Sequence, residues 1–259
     1  MEKWPRRPRL VAGNWKMHGT PGEGASLAGQ LASMLQPGRR AEIALCPPFT
    51  SLAHVAARIE RTGIHLGAQN LHAEPKGAYT GEIAGSMLAS LGCRFVIVGH
   101  SERRHGMGET DADVAKKLHA AQRHGLTPIV CVGETLAERE AGQMAEVLVR
   151  QVRGAYDGLE PGAARATVVA YEPVWAIGTG KVATVDQASE AHAIVRETLG
   201  RVTSRGLGAD VAILYGGSVK ADNAAELFAS NEIDGALVGG ASLEASSFWR
   251  IIVAAEGGA

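Results

Sequence analysis

Cysteine is scarce in this sequence, and its spacing indicates no metal or redox site. The 259 residues include three cysteines, which are Cys46, Cys93 and Cys131. The number is odd, and no CxxC pair or Cys/His cluster has the spacing of a metal site. The cysteine content therefore argues against a secreted domain stabilised by disulfides. We expect reduced thiols, a cytoplasmic protein and no metal.

The sequence also lacks a charge excess and any long apolar run. Lys and Arg total 26 while Asp and Glu total 27, so the formal net charge is −1. This balance argues against a nucleic-acid binder and against a polybasic membrane surface. No apolar stretch approaches the roughly 18 residues of a membrane span, and the N-terminal MEKWPRRPRLVAG has no long apolar region of a signal peptide. We therefore expect neither nucleic acid nor a membrane as a partner.

What the sequence does contain is a series of short apolar runs rich in Val, Ile and Leu. Most of them lack strict polar alternation, which is typical of strands covered on both faces in a parallel sheet. The eight runs predict eight strands, and they are LVAGNWK from Leu10, EIALCPP from Glu42, IHLGAQN from Ile64, FVIVGHS from Phe95, PIVCVGE from Pro128, TVVAYEP from Thr167, VAILYGG from Val211 and GALVGGA from Gly235.

Helical patterns lie between the predicted strands. Residues 111–124 repeat apolar positions at helical spacing and begin with Asp111, a good helix cap. About eight strand–helix cycles predict an α/β protein with a single (β/α)8 barrel domain of eight parallel strands. This domain covers residues 1–259, of which 1–8 form a short N-terminal extension. The alternative is a doubly wound open sheet, which is disfavoured because no GxGxxG follows the first strand. The other predicted helices are 136–153, 186–205, 223–230 and 242–255.

Glu172 is the first candidate catalytic residue, because the active sites of such barrels lie where strands end and loops begin. It ends an apolar run and precedes Pro173, which favours an extended backbone. A carboxylate held by rigid backbone suits a general base. The following residues 174–179 have the composition of a lid, with Pro173 and residues 181–183 as hinges. The alternative is a surface carboxylate followed by a simple connection.

Three further polar residues follow predicted strands. His100 precedes residues 101–104, which form a possible short helix, and a helix N-terminus disfavours imidazolium. A neutral His100 would suit hydrogen-bond donation to substrate oxygens; the alternative is a structural histidine. Asn14 and Lys16 are two residues apart in a strand-like segment, so we expect both on one face. A lysine inside a barrel requires an anionic partner such as a phosphorylated substrate, unless both residues are solvated at the strand end.

Glycine-rich turns after the last two predicted strands indicate an anion site. Ser218 has Gly216 and Gly217 before it, and Gly239 and Gly240 follow the eighth run. Glycine lets backbone N–H groups approach an anion, and a short helix after Gly240 would direct its positive end to the same place. Barrel phosphate sites often use these two loops, although a single Gly-Gly pair is more often only a turn.

These motifs together resemble those of the triosephosphate isomerase family. The segment AYEPVWAIGTGK resembles the family signature, and AGNWK, VGHSERR, GETD, YGGSV and LVGGASL match other family motifs in order and spacing. The resemblance spans nearly the whole chain. It implies a barrel that interconverts dihydroxyacetone phosphate and D-glyceraldehyde 3-phosphate in glycolysis and gluconeogenesis, without cofactor or metal.

The resemblance also implies roles for individual residues. Glu172 matches the family base, His100 the electrophile and Lys16 the positive charge, while Asn14 helps to shape the site and donates to substrate. Phosphate would be held by Gly178 of the lid together with Ser218, Gly239 and Gly240. Glu102 matches a carboxylate near the lysine and the histidine, and Cys131 matches a cysteine near the base, for which we expect a packing role.

One long loop implies a second subunit. Residues 70–85 exceed the usual βα connection of about 2–6 residues, and they resemble the protruding loop with which family members form a homodimer. Thr80 matches the residue at its tip; the alternative is a free surface loop. The competing hypothesis for the whole chain is a non-catalytic phosphosugar-binding barrel. Such a module would need only the phosphate loops, not the base, electrophile, lysine and lid together.

Overall fold

The eight apolar runs form the strands of one closed barrel. The computed structural model describes residue 7 and residues 9–178, 181–203 and 206–257. Its strands are parallel and pair in chain order, and the last strand pairs with the first. The predicted (β/α)8 architecture is therefore confirmed. The strands are β1 (Leu10–Asn14), β2 (Glu42–Cys46), β3 (Ile64–Ala68), β4 (Cys93–Val98), β5 (Thr127–Val132), β6 (Val168–Tyr171), β7 (Ala212–Tyr215) and β8 (Gly235–Val238).

Side chains alternate along each strand between two apolar layers. One layer contains strand residues alone, such as Ala12, Cys131 and Ala170, and fills the inside of the barrel. The other contains strand residues such as Tyr171 together with helix residues such as Leu148, so it lies between the sheet and the helices. Since both layers are apolar, the strands show no polar alternation. The period of two also directs the residue after Tyr171 toward the barrel axis.

The helices surround the barrel between consecutive strands. Among the described residues, the α-helices are α1 (Pro21–Met34), α2 (Leu52–Ile59), α3 (Gly85–Ser90), α4 (Ser101–Gly106), α5 (Asp111–Arg123), α6 (Leu136–Glu140), α7 (Met144–Tyr156), α8 (Pro161–Arg165), α9 (Val185–Val202), α10 (Ala224–Ala229) and α11 (Ala245–Ala255). Within the same residues, no helix is both long and apolar enough to cross a membrane.

The start of α5 differs from its prediction. Its cap is Thr110, not Asp111: the Thr110 hydroxyl accepts from the Asp113 N–H, and the Asp113 carboxylate accepts from the Thr110 N–H. This reciprocal pair satisfies two donors that a helix start otherwise leaves free. Asp111 is thereby available to pair with Arg104 at 2.7 Å.

Two predicted helices are divided in the structure. The prediction over 136–153 is wrong in its middle, because α6 ends at Glu140 and Gly142 has a φ of +71° that no helix accommodates. The prediction over 242–255 covers part of a 3-10 turn, Gly240–Leu243, as well as α11. Of the predicted extension 1–8, only Arg7 is described, and its Nε donates to Asp234 at 2.6 Å.

Candidate active site

A pocket of about 540 Å³ opens where the strands end. All eight residues predicted to act on substrate or phosphate line it together: Asn14, Lys16, His100, Glu172, Gly178, Ser218, Gly239 and Gly240. They lie at or after the ends of five strands, and the barrel closure brings them to one edge. Among the described residues, no group of three or more His, Cys, Asp or Glu side chains is placed to hold a metal ion.

Glu172 and His100 are in direct contact at the bottom of this pocket. The Glu172 carboxylate is 2 % exposed; its Oε1 lies 2.9 Å from His100 Nε2, and its Oε2 accepts from the Ser101 N–H at 2.8 Å. His100 is the cap of α4, and its Nδ1 accepts from the Glu102 N–H at 3.2 Å. A neutral imidazole with its proton on Nε2 satisfies both contacts.

The pairing changes how both groups ionise. Burial raises the pKa of the Glu172 carboxyl. His100 and the Ser101 N–H lower the same pKa by a larger amount, so the net shift is downward. Burial lowers the pKa of His100, but the adjacent Glu172 carboxylate raises it, and the net shift is upward. The raised pKa of His100 differs from the expectation of a disfavoured imidazolium at a helix N-terminus. The Glu172 carboxylate, 2.9 Å from Nε2, favours the imidazolium more than the short helix α4 disfavours it. The contact is the largest of the causes that favour the charged forms, so both pKa shifts weaken when the two groups separate.

Lys16 reaches the same pocket by a route that differs from the prediction. β1 ends at Asn14, and Lys16 has a left-handed φ of +53°, so the two residues do not share one strand face. The Asn14 side-chain oxygen accepts from the Lys16 N–H at 3.1 Å, and Gln69 donates to the Lys16 carbonyl at 2.8 Å. These two contacts stabilise an unusual backbone conformation. The Lys16 ammonium pairs with Glu102.

The two glycine turns lie on one side of the pocket. Gly217 has no room for a side chain, since an added Cβ would lie 2.2 Å from the Tyr215 hydroxyl. Gly239 precedes the 3-10 turn, and a Cβ there would lie 3.5 Å from Lys16 Cε, so the lysine passes beside this turn. Ser218 is held by its carbonyl, which accepts from Asn223 at 3.0 Å. Backbone N–H groups and a cation are thus grouped in one place, which suits an anion.

The predicted lid begins as a short 3-10 turn, Val174–Ala176, directly after Pro173. Gly178 is exposed and has a φ of +70°, while Thr179 and Gly180 lie outside the described residues. The Trp175 indole donates to Glu134 at 2.8 Å. Residues 181–183, the predicted second hinge, run without regular structure into α9.

Glu134 is a residue that the sequence analysis did not single out. It is fully buried, and its Oε1 accepts from Tyr171, Trp175 and Arg139 at 3.1, 2.8 and 3.0 Å. Its carboxylate therefore connects the end of β6 with the start of the lid. The sequence does indicate this residue by its position two residues after β5, because functional polar residues of such barrels follow the strand ends. His18 and Lys220 also line the pocket without having been predicted.

Three predicted residues lie outside the pocket lining. Glu102 is beside it and contacts Lys16. Cys131 is fully buried, and burial followed by the nearby Glu172 carboxylate raises the pKa of its thiol well above the usual range. That shift disfavours a thiolate nucleophile. Thr80 is exposed near the tip of the loop between β3 and α3, whose base is closed by the His72 N–H bonded to the Ile83 carbonyl at 2.8 Å.

Comparisons with known proteins agree with this arrangement. The sequence profile described as triosephosphate isomerase matches residues 9–255. The triosephosphate isomerase of Moorella thermoacetica is 58% identical over 250 residues, which cover 95% of this chain and 98% of that protein. The triosephosphate isomerase of Rhodopirellula baltica is 53% identical over 246 residues, covering 95% and 97% respectively.

A solved structure gives the same result. The crystal structure of triosephosphate isomerase from Bartonella henselae superposes with a TM-score of 0.86 at 40% sequence identity, covering 95% of this chain and 98% of that one. The fold, the sequence profile and the curated relatives thus agree over almost the whole length. The chain belongs to the triosephosphate isomerase family.

Proposed function

We propose that this chain interconverts dihydroxyacetone phosphate and D-glyceraldehyde 3-phosphate through an enediolate, as a step of glycolysis and gluconeogenesis. The observation that carries the proposal is the contact between a buried carboxylate and an imidazole, Glu172 and His100, in a pocket that also holds Lys16 and two glycine turns. Membership of the family supports the same reaction. The reaction transfers protons within one substrate, so acid–base side chains are sufficient and no cofactor is required.

Glu172 is the base in this mechanism. Its carboxylate takes the proton from C1 of dihydroxyacetone phosphate, and the electron pair moves through C2 to the carbonyl oxygen, which gives the enediolate. Returning the proton to C2 and moving the hydroxyl proton between the oxygens completes the aldehyde. Glu172 must leave His100 and Ser101 to reach the substrate, and it then loses the contacts that lower its pKa. It becomes a stronger base as substrate displaces His100 from it.

His100 and Lys16 stabilise the enediolate. The His100 Nε2–H donates to the substrate oxygens once Glu172 has turned away, and the Glu102 N–H at Nδ1 opposes a second proton on the ring. Lys16 supplies a positive charge, and Asn14 orients it through the Lys16 backbone. Donors fixed in advance where negative charge develops are a large contribution to catalysis.

The phosphate group binds the N–H groups of Ser218, Gly239 and Gly240, and Gly178 of the lid adds another on closing. The left-handed φ of Gly178 supports this role, because other residues are strained there. A closed lid excludes water, which suppresses elimination of phosphate from the enediolate. A pure binding module would need these N–H groups but not a buried base.

Isomerisation in D₂O tests the enediolate directly. Dihydroxyacetone phosphate is converted by the protein, and the product is trapped and analysed for deuterium at C2. A proton that passes through Glu172 exchanges with solvent, so we expect deuterium in the product. Product formed without any deuterium would indicate a direct hydride shift and contradict the mechanism. Binding of substrate without conversion would favour the non-catalytic module.

A homodimer is also part of this proposal. The loop around Thr80 protrudes, and Met17 beside Lys16 is 94% exposed, although Met is more often buried. A second copy that covers Met17 with its own Thr80 loop would bury this surface and support Lys16 and Asn14. A native mass equal to two chains is expected in solution. A native mass equal to one chain would contradict it.

Two further elements of the proposal concern organisation and location. The barrel strands extend from β1 at residue 10 to β8 at residue 238, which supports a single domain. All three cysteines are buried free thiols, which is consistent with a reducing, cytoplasmic location.

A further inference from the structure

Three side chains that line the pocket are lysines or a carboxylate, and two of them have a close ionisable partner. Glu172 contacts His100, and Lys16 pairs with Glu102. The third, Lys220, has an exposed side chain, and among the described residues no carboxylate lies within ion-pair distance of it. The pocket mouth therefore carries one ammonium group, that of Lys220, without a carboxylate beside it in the described part of the chain.

The backbone of Lys220 is fixed relative to the proposed phosphate loop. The Asn223 side chain accepts from the Lys220 N–H at 2.8 Å and donates to the Ser218 carbonyl at 3.0 Å. The Lys220 carbonyl in turn accepts from the Ala224 N–H at 3.1 Å, at the start of α10. One amide thus connects Ser218 with Lys220, so the charge stays beside the loop while its flexible stem extends into solvent.

We propose that Lys220 attracts the phosphate dianion of the substrate to the pocket mouth. This inference rests on the proposed function and extends it to a residue outside the phosphate loops. A solvent-exposed ammonium acts on a dianion at distances near the Debye length, about 10 Å at 0.1 M salt. It attracts the substrate, the bound state and the transition state to a similar degree, so it changes kcat/KM through KM and not through kcat.

The test compares Lys220→Met with two controls. Lys220→Arg keeps the charge, and Lys116→Met removes one positive charge from an exposed position on α5, away from the pocket lining. We expect Lys220→Met to lower kcat/KM for dihydroxyacetone phosphate about two- to fivefold at low ionic strength, and the loss to disappear near 0.5 M salt. Lys220→Arg should restore kcat/KM, and Lys116→Met should retain it.

D-Glyceraldehyde, which lacks the phosphate, separates attraction from a structural effect. The ratio of kcat/KM for the phosphorylated triose to that for D-glyceraldehyde should fall by the same factor in Lys220→Met. Equal loss for both substrates, a loss confined to kcat, or a loss that persists at high salt would overturn the proposal.

Failure of the proposed function gives a different result. In that case the unmodified protein converts neither triose, and Lys220 is then tested by binding of glycerol 3-phosphate. Weaker binding by Lys220→Met at low salt, by the same two- to fivefold, would support the attraction. Equal dissociation constants for the two proteins would overturn it.

Discussion

Adding a single methyl group at Gly133 should displace Glu172, the proposed base. Gly133 follows β5, and a Cβ added there would lie 1.7 Å from the carbonyl oxygen of Glu172 and 2.6 Å from its carbonyl carbon. Ordinary contacts between such atoms are longer by about 1.5 Å or more. The Gly133→Ala substitution therefore requires the backbone to move.

The structure indicates which side moves. Gln151 holds Gly133 from both ends, since its side chain accepts from the Gly133 N–H at 2.7 Å and donates to the Gly133 carbonyl at 3.2 Å. The displacement is thus transmitted to the backbone of Glu172. It disturbs the hydrogen bond that the Glu172 N–H donates to the Val132 carbonyl at 2.7 Å. A misplacement of about 1 Å costs on the order of 10²-fold in rate. Overpacking of this kind costs about 1–3 kcal/mol of stability or more.

The assay measures kcat and KM with dihydroxyacetone phosphate, together with thermal unfolding. We expect kcat of Gly133→Ala to fall by about 10²-fold or more, with a smaller change in KM because the phosphate turns are on other loops. Gly29→Ala is the matched control: it lies within α1, its Cβ would meet no atom within 4 Å, and it should stabilise the protein slightly. A folded Gly133→Ala protein with unchanged kcat would refute the reasoning.

Three other predictions concern Glu134, the pair of Glu172 and His100, and the lid. Glu134→Gln removes a fully buried charge with three donors, and urea unfolding should show a loss of about 2–4 kcal/mol; equal stability would contradict the role of this carboxylate. The lowered pKa of Glu172 and the raised pKa of His100 imply that their pair stabilises the fold fully between about pH 4.5 and 6.5. The contribution is lost as pH falls through the Glu172 pKa or rises through the His100 pKa, so a Tm difference from His100→Asn that is independent of pH would be incompatible. Shortening residues 174–179 should increase the inorganic phosphate released per turnover, whereas unchanged partitioning would count against a water-excluding lid.

The strands could be predicted because burial on both faces leaves an unmistakable composition. Continuous runs of Val, Ile and Leu correspond to β1–β8 within a few residues, and polar residues at their ends converge because parallel strands end at one edge. Glu172 was found this way, and the period of two explains why it points inward from Tyr171.

Other features depend on contacts that a one-dimensional pattern does not contain. The helical pattern over 136–153 continues through Gly142, and only the folded backbone requires its positive φ. The left-handed conformation of Lys16 depends on Gln69, which is distant in sequence. Glu134 is similar: nothing local shows that Tyr171 and Trp175 donate to it. The Thr110 cap is different, because its reciprocal bond with Asp113 has a local sequence pattern.

The most direct test of the central claim compares the purified protein with Glu172→Gln in the conversion of dihydroxyacetone phosphate to D-glyceraldehyde 3-phosphate. Gln keeps the size of the side chain but cannot accept the substrate proton. We expect activity in the unmodified protein and a decrease of at least about 10²–10⁴-fold in the variant, with the fold verified by thermal unfolding. A folded Glu172→Gln protein that retains full isomerase activity would contradict the assignment of the base.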